Sequence, residues 1–274
     1  MQYTIKEISR IFGNTVGGIR FYEEAGLVNP DRNQSDNRVY TTENIQELFY
    51  LRKYCTFGLK IREVAEYFTD QNTKDIQEIN RLLKIKAAES EQKALFYQQA
   101  AQWTTNYNEK LSRLDEYLDH FIPEGTPDFL LLMDESLVSN AKPHQDAARR
   151  WIAAAPMSRI SMITHFEKGR IKDSRPVFLI NKAIAESLQL PQPPYTRLLK
   201  GASCMYTIVK VKSTGFDFIG GEIFAALIKK LEAAGHVFSG MAISNIVFTH
   251  KIRGEQYKYF EMWFPVDTEL PLIV

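Results

Sequence analysis

Cysteine is scarce in this chain. The two present, Cys55 and Cys204, are far apart and form no C-x-x-C pair, so neither a disulfide framework nor a zinc ribbon is indicated, and both are expected to be core thiols. No apolar run approaches the roughly 20 residues that cross a bilayer. The opening MQYTIKEISR also lacks the basic-then-apolar order of a secretory leader, so the expected location is cytoplasmic, with no membrane partner. The five histidines, His120, His144, His165, His236 and His250, show no close ligand spacing; neither a metal site nor a cofactor is expected. A surplus of either charge is missing too. In residues 1–70 the nine cations Lys6, Arg10, Arg20, Arg32, Arg38, Arg52, Lys53, Lys60 and Arg62 face ten acids, so nucleic-acid binding has to be argued from placement rather than net charge.

What is present divides into three segments, read as residues 1–70, 71–122 and 123–274, in an α+β fold. The first carries four short amphipathic stretches. Thr4 and Glu7 make a capping-box pattern ahead of Ile5, Ile8, Ile11 and Phe12, and Gly13 suits the left-handed position that ends a helix. Thr15 can cap a second helix that runs to about Ala25 and stops at Gly26. Two short helices joined by about three residues read as a helix-turn-helix. LVNPDRNQSDNRVYT then places two β-prone pieces, Leu27-Val28 and Arg38 to Tyr40, around a polar turn, which predicts a hairpin wing. Thr41 or Thr42 caps a third helix with Ile45, Leu48, Phe49 and Leu51 inward, ending near Gly58. A fourth places Ile61, Val64, Ala65 and Phe68 inward.

From about Asp75 to Phe121 there is no Pro or Gly, which predicts one long helix. Ala100, Tyr107, Leu114 and Phe121 share one heptad position, and Thr104, Leu111 and Leu118 another. Such a seam needs a cover, either a second copy of the chain or the chain's own C-terminal part; the expectation is a homodimer. Pro123, Gly125, Thr126 and Pro127 read as a linker. Beyond it PDFLLLMDESLV is strand-like, HQDAARRWIAAAP helical, ISMITHF and RPVFLI strand-like. After a loop at PQPPY, CMYTIVKV reads as strand, FDFIGGEIFAALIKKLEAAG as helix, and ISNIVFTH and YKYFEMWF as strands. The order β-α-β-β thus occurs twice, consistent with two halves sharing one sheet with a cleft between them.

YTIKEIS, TVGGIRFYEEAGLV followed by Pro30, NRVYT and GLKIREV, in that order and spacing over residues 3–70, resemble the N-terminal winged-helix domain of the MerR family of transcription regulators. The resemblance implies that residues 1–70 bind DNA, that residues 71–122 form an antiparallel dimerisation coiled coil, and that a homodimer distorts promoter DNA for RNA polymerase once an effector binds. It also accounts for Gly17 and Gly18, each of which costs a helix roughly 1 kcal/mol relative to alanine. A helix entrance aimed at a phosphate offers free N–H groups, and glycine lets the backbone come close. Thr15, Gly17 and Gly18 are therefore expected at the phosphate. Arg20 is expected at a base edge or phosphate in the major groove, where its alternative is a solvated helix arginine. Tyr22, Arg38 and Lys60 are expected along the backbone. One of the rings of Phe21 and Tyr22 is assigned inward, and Tyr40 is assigned to packing the wing.

Metal-sensing members carry cysteines after the dimer helix; FIPEGTPDF has none. The doubled β-α-β-β order and the strand YKYFEMWF resemble instead the GyrI-like effector-binding domain of multidrug-sensing relatives, assigned to residues 123–274, with Glu261 at the acidic position used there for cationic ligands. Alternation puts Tyr259, Glu261 and Trp263 on one face and Phe260, Met262 and Phe264 on the other. A carboxylate on such a strand must be paired with an internal Lys or Arg, protonated, or reserved for a ligand. The resemblance favours a hydrophobic, cationic ligand held by Coulomb attraction and cation–π contact. Tyr206 and Trp263 are further pocket candidates, and Tyr195 and Met162 can line the cleft, while Trp151 is assigned to packing. Two alternatives stay open: a C-terminal hydrolase with Glu261 as base and Tyr206 as acid, and a repressor with a vestigial pocket.

Overall fold

The computed structural model describes residues 2–68, 76–133, 142–213 and 219–267, and the chain divides into two compact units, Met1–Ala94 and Leu95–Val274. The first unit opens with α1 (Ile5–Phe12) and α2 (Val16–Glu24). Thr4 and Glu7 complete a reciprocal capping box: the Glu7 amide donates to Thr4 Oγ1 at 3.3 Å and the Thr4 amide to the Glu7 carboxylate at 2.7 Å. Gly13 ends α1 at φ 63°, a conformation that costs glycine nothing. The Gly18 amide donates to the Thr15 hydroxyl at 3.0 Å, which starts α2.

The wing differs from its expected register. Its strands are β1 (Asp31–Arg32) and β2 (Arg38–Val39), because Asn33 closes the turn by accepting from the Ser35 and Asn37 amides through its side chain. Leu27-Val28 forms no strand; Val28 is core instead. Next come α3 (Thr42–Thr56), capped at Thr41, and α4 (Ile61–Phe68). Ile8, Ile19, Tyr40, Leu48, Leu51 and Val64 are buried together with Val28. Two residues read as inward-facing are not: Phe49 is 62% and Ile11 56% exposed. Phe49 follows Leu48 by one residue, about 100° around the helix, which carries it off the stripe shared by Leu48 and Leu51.

The long helix, α5 (Ile76–Ser112), is followed by α6 (Leu114–Tyr117); its expected start at Asp75 lies outside the described residues. Much of the heptad seam is covered within the chain's own second unit. Leu114 and Leu118 pack on the cluster containing Tyr206 and Trp263, Phe121 packs on the cluster containing Phe264, and Ala100 packs on the one around Trp151. Thr104 faces solvent. Of the two covers open to the seam, this one gives no separate argument for a second copy.

Eight antiparallel strands form one sheet in the order β3-β8-β10-β9-β5-β6-β4-β7. They are β3 (Ile122–Gly125), β4 (Phe129–Met133), β5 (Arg159–Glu167), β6 (Arg170–Asn181), β7 (Thr196–Leu199), β8 (Ser203–Ser213), β9 (Met241–Ile252) and β10 (Glu255–Pro265). Among the described residues the unit also holds helices α7 (Lys142–Ala153), α8 (Lys182–Ser187) and α9 (Gly221–Ala233). The expected linker is thus partly a strand: Ile122–Gly125 pairs with Ser203–Tyr206 at the sheet margin, where a proline loses no ladder bond that matters. β7 and α8 flank the expected loop at PQPPY, in stretches to which the sequence assigned no element. The expected continuation of β4 through Val138 and the expected helical residues 216–218 lie outside the described residues. On one face Ile163, Ile243, Tyr259 and Trp263 cluster; on the other, Phe260, Met262 and Phe264 meet Phe224, Leu227 and Leu231 of α9. Among the described residues no helix is long and apolar enough to cross a membrane.

Candidate functional site

In the first unit the short turn at Gly13 and Asn14 carries the chain from α1 into α2, so that the entrance of α2 and the Arg20 side chain stand on the surface. Thr15 consumes the Gly18 amide, whereas the Val16 and Gly17 amides find no acceptor among the described residues. A Cβ at Gly17 would meet only Thr15 Oγ1, at 3.9 Å, and one at Gly18 the same atom at 3.4 Å. Packing inside the fold therefore does not require glycine at either position. What the two glycines supply is a bare approach to unsatisfied donors.

Arg20 is exposed and makes no hydrogen bond or ion pair among the described residues. Of the two rings beside it, Phe21 is 45% exposed. Tyr22 packs on the core, its hydroxyl accepting from Asn14 Nδ2 at 3.4 Å. The Lys60 side chain is exposed while its amide donates to Glu63 at 2.6 Å and starts α4. Arg38 is tethered: its Nε donates to Glu23 at 2.7 Å. The fully buried Tyr40 donates to the other oxygen of the same carboxylate. Burial and then Glu23 push the Tyr40 phenol well above its ordinary value, and the separate hydrogen bond from Arg38 to Glu23 raises Arg38. Glu23 thus fixes the wing to α2, a role that no local feature of FYEEAG announced.

In the second unit Glu261 sits on β10 opposite Ile208 of β8 and Asn245 of β9. It is buried and held by four donors. Lys110 Nζ lies 2.8 Å from Oε2 and Arg159 Nη1 3.1 Å from Oε1; Asn245 Nδ2 donates to Oε1 at 3.1 Å and Tyr206 to Oε2 at 3.3 Å. Burial pushes the carboxyl up, but the Arg159 and Lys110 charges outweigh it and leave it below its ordinary value. Pairing is therefore its state here, one of the three fates open to a buried carboxylate, and it is not held in reserve. Burial and the neighbouring Glu261 raise the Tyr206 phenol strongly. Lys110 stands 4.5 Å from the Tyr206 ring centre and 5.4 Å from that of Trp263, with Arg159 5.3 Å from the latter. A cavity of about 300 Å³ opens beside the carboxylate, and a second of about 230 Å³ shares Trp103, Lys110 and Arg159 with it.

Of the residues predicted for this site, the fold brings together Glu261, Tyr206 and Trp263. It does not bring Tyr195 or Met162 to it. Tyr195 packs on the cluster around Trp151. Met162 pairs with Ser244, which is in register with Met262, so it belongs to the sheet face opposite Glu261. Sequence reasoning missed Trp103, Tyr107 and Lys110, although their i, i+4, i+7 spacing puts two aromatics and a cation on one helix face. Arg159 carried no local signal.

Residues 3–71 match the family model described as MerR HTH family regulatory protein. The HTH-type transcriptional regulator CueR of Escherichia coli O6:H1 is 37% identical over 92 residues, covering 32% of this chain and 67% of that protein. The chain spans about half of another, CueR of Escherichia coli O157:H7, with 40% identity over 63 residues that cover 23% of this chain and 47% of the relative. A solved structure described as an EcmrR-DNA complex in EcmrR-RPo aligns over 96% of this chain and 99% of its own, at 15% identity and a TM-score of 0.32, too low to carry an argument. The matched residues contain Thr15, Gly17, Gly18, Arg20, Tyr22, Arg38 and Lys60, and with the extent of the CueR match they establish that the chain belongs to the MerR HTH family of regulatory proteins.

Proposed function

We propose that this MerR-family DNA-binding transcription regulator reads a promoter with α2 and the wing, acts as a homodimer with RNA polymerase, and responds to a small hydrophobic molecule held beside Glu261. The carrying observation is Arg20: exposed and without a hydrogen-bonding partner among the described residues, next to helix-entrance amides that lack acceptors. A bidentate contact from such an arginine to guanine is worth about 1–3 kcal/mol of discrimination, and the first-turn amides add a phosphate clamp. Activation then requires that the ligand favour one arrangement of the regulator, and that this arrangement favour deformed DNA. The dimer and the polymerase are carried over from the family resemblance as part of this proposal.

For the second unit, the cavity of about 300 Å³ with a stacked Trp103–Tyr107 wall supports small-molecule binding. The cationic ligand implied by the resemblance would reach Glu261 only by displacing Lys110 or Arg159. Hydrolysis has less support, because a carboxylate that accepts from four donors and is held below its ordinary value is a weak base. Footprinting on the DNA upstream of the chain's own gene, with polymerase, tests the reading. Protection is expected with the wild type and is expected to vanish with Arg20→Ala at unchanged melting temperature. Equal protection by both proteins would refute it.

A further inference from the structure

The charges that line the cavity beside Glu261 are Lys110, Arg159 and Glu261, two cations to one acid. The next acid, Glu124, lines the adjoining cavity, where its carboxylate accepts from Trp263 Nε1 at 3.1 Å; it forms no ion pair with either cation among the described residues. The positions where a ligand cation would gain most are filled from within, since Lys110 and Arg159 already occupy the carboxylate and the faces of Tyr206 and Trp263. Donors, by contrast, are in surplus. Arg159 spends one N–H on Glu261 and Lys110 one of its three, and both side chains keep 24% of their surface exposed. Ser158 lines the same cavity, and its buried hydroxyl has no hydrogen-bond partner among the described residues. An orphaned hydroxyl in a dry site is costly unless something completes it.

We infer that this cavity takes an apolar anion, a carboxylate on a flat aromatic frame, which accepts from Lys110, Arg159 and Ser158 and competes with Glu261 for the two cations. The inference rests on reading the second unit as the small-molecule-binding part. The frame lies along the stacked rings of Trp103 and Tyr107, whose centres are 5.3 Å apart at 17°, and Ile246 and Val247 add apolar lining. The Tyr107 hydroxyl is committed to the Val247 carbonyl at 3.0 Å, so it serves as wall rather than as donor. Because Lys110 belongs to α5, which begins at Ile76, an anion that draws it from Glu261 acts directly on that helix.

Isothermal titration of the full chain with three probes on one frame tests this: biphenyl-4-carboxylate, biphenyl-4-ylmethanol and biphenyl-4-ylmethylammonium. The carboxylate is expected to bind about tenfold tighter than the alcohol, and the ammonium more weakly than either. Glu261→Gln removes the competing anion and is expected to tighten the carboxylate about tenfold, whereas Lys110→Met and Arg159→Met each weaken it by about tenfold or more. Lys110→Arg restores the charge and most of the affinity, which separates a lost contact from a misfolded variant. Tightest binding of the ammonium probe, weakened by Glu261→Gln, would overturn the inference and leave the sensor reading intact. Absence of binding by all three at millimolar concentration would overturn both.

Discussion

Lys110 and Glu261 lie 151 residues apart in the chain and meet at 2.8 Å, so a double-mutant cycle between them measures whether the end of α5 is fastened to the sheet. The Glu261 side chain is 7% exposed and Lys110 24%. At about 4 Å and an effective dielectric near 20 their Coulomb attraction is about 4 kcal/mol, against which desolvation must be set; charged hydrogen bonds net about 1.5–3 kcal/mol. Arg159, Asn245 and Tyr206 remain on Glu261 after Lys110→Met, so the single variant is expected to lose about 2 kcal/mol, not the larger cost of an unpaired buried charge. Glu261→Gln is expected to lose a similar amount, since the two cations it leaves are partly hydrated. The double variant should fall short of the sum by about 2 kcal/mol. Urea unfolding followed by tryptophan fluorescence is the assay, because Trp103, Trp151 and Trp263 all lie in the second unit and the signal is blind to the first. A coupling under about 0.5 kcal/mol, the scatter of independent sites, would refute the pairing.

Gly201→Ala is expected to destabilise the second unit by about 1–3 kcal/mol, because the added methyl would lie 2.4 Å from the Thr126 carbonyl oxygen and 3.1 Å from the Pro127 carbonyl carbon, neither of which is a flexible side chain; an unchanged urea midpoint would contradict it. The Glu261 ion pairs should also show in acid. The folded carboxyl lies below its ordinary 4.5, so the unfolded chain takes up the proton first; the stabilisation is fully present above about pH 4.5 and fades as pH falls through the folded value. The stability gap between wild type and Glu261→Gln should therefore be flat from neutral pH down to about 5.5 and shrink below 4.5, and a gap that widens in acid would reverse the sign of the argument.

Where the chain announces its structure locally, the sequence can be read. Thr4, Glu7, Gly13 and Thr15 are caps whose chemistry works within four residues, and they ended helices where expected. β10 alternates as its residues require, with Glu261 beside Tyr259 and Trp263. Longer-range facts were hidden. The seam from Ala100 to Phe121 states that it needs a cover but not which, since an apolar stripe fits a sheet face as well as a second helix. Met162 went to the wrong face because both faces of this sheet are buried, and a two-sided apolar strand does not say which side is which. Arg159 and Glu23 act across 102 and 15 residues, and nothing in their neighbours records the partner. Lys110 was legible in principle, through its helical spacing to Trp103 and Tyr107.

β3 has a practical bearing on taking the molecule apart. Its four residues, with Pro123 among them, cover the Ser203–Tyr206 end of the flank of β8. A fragment begun after Pro127 would strip that cover and bare a row of unsatisfied amides and carbonyls beside Met205 and Tyr206, the kind of margin that recruits foreign strands. Such a fragment should precipitate or form fibrils where one begun at Leu95, which keeps β3, α6 and the end of α5, stays dispersed.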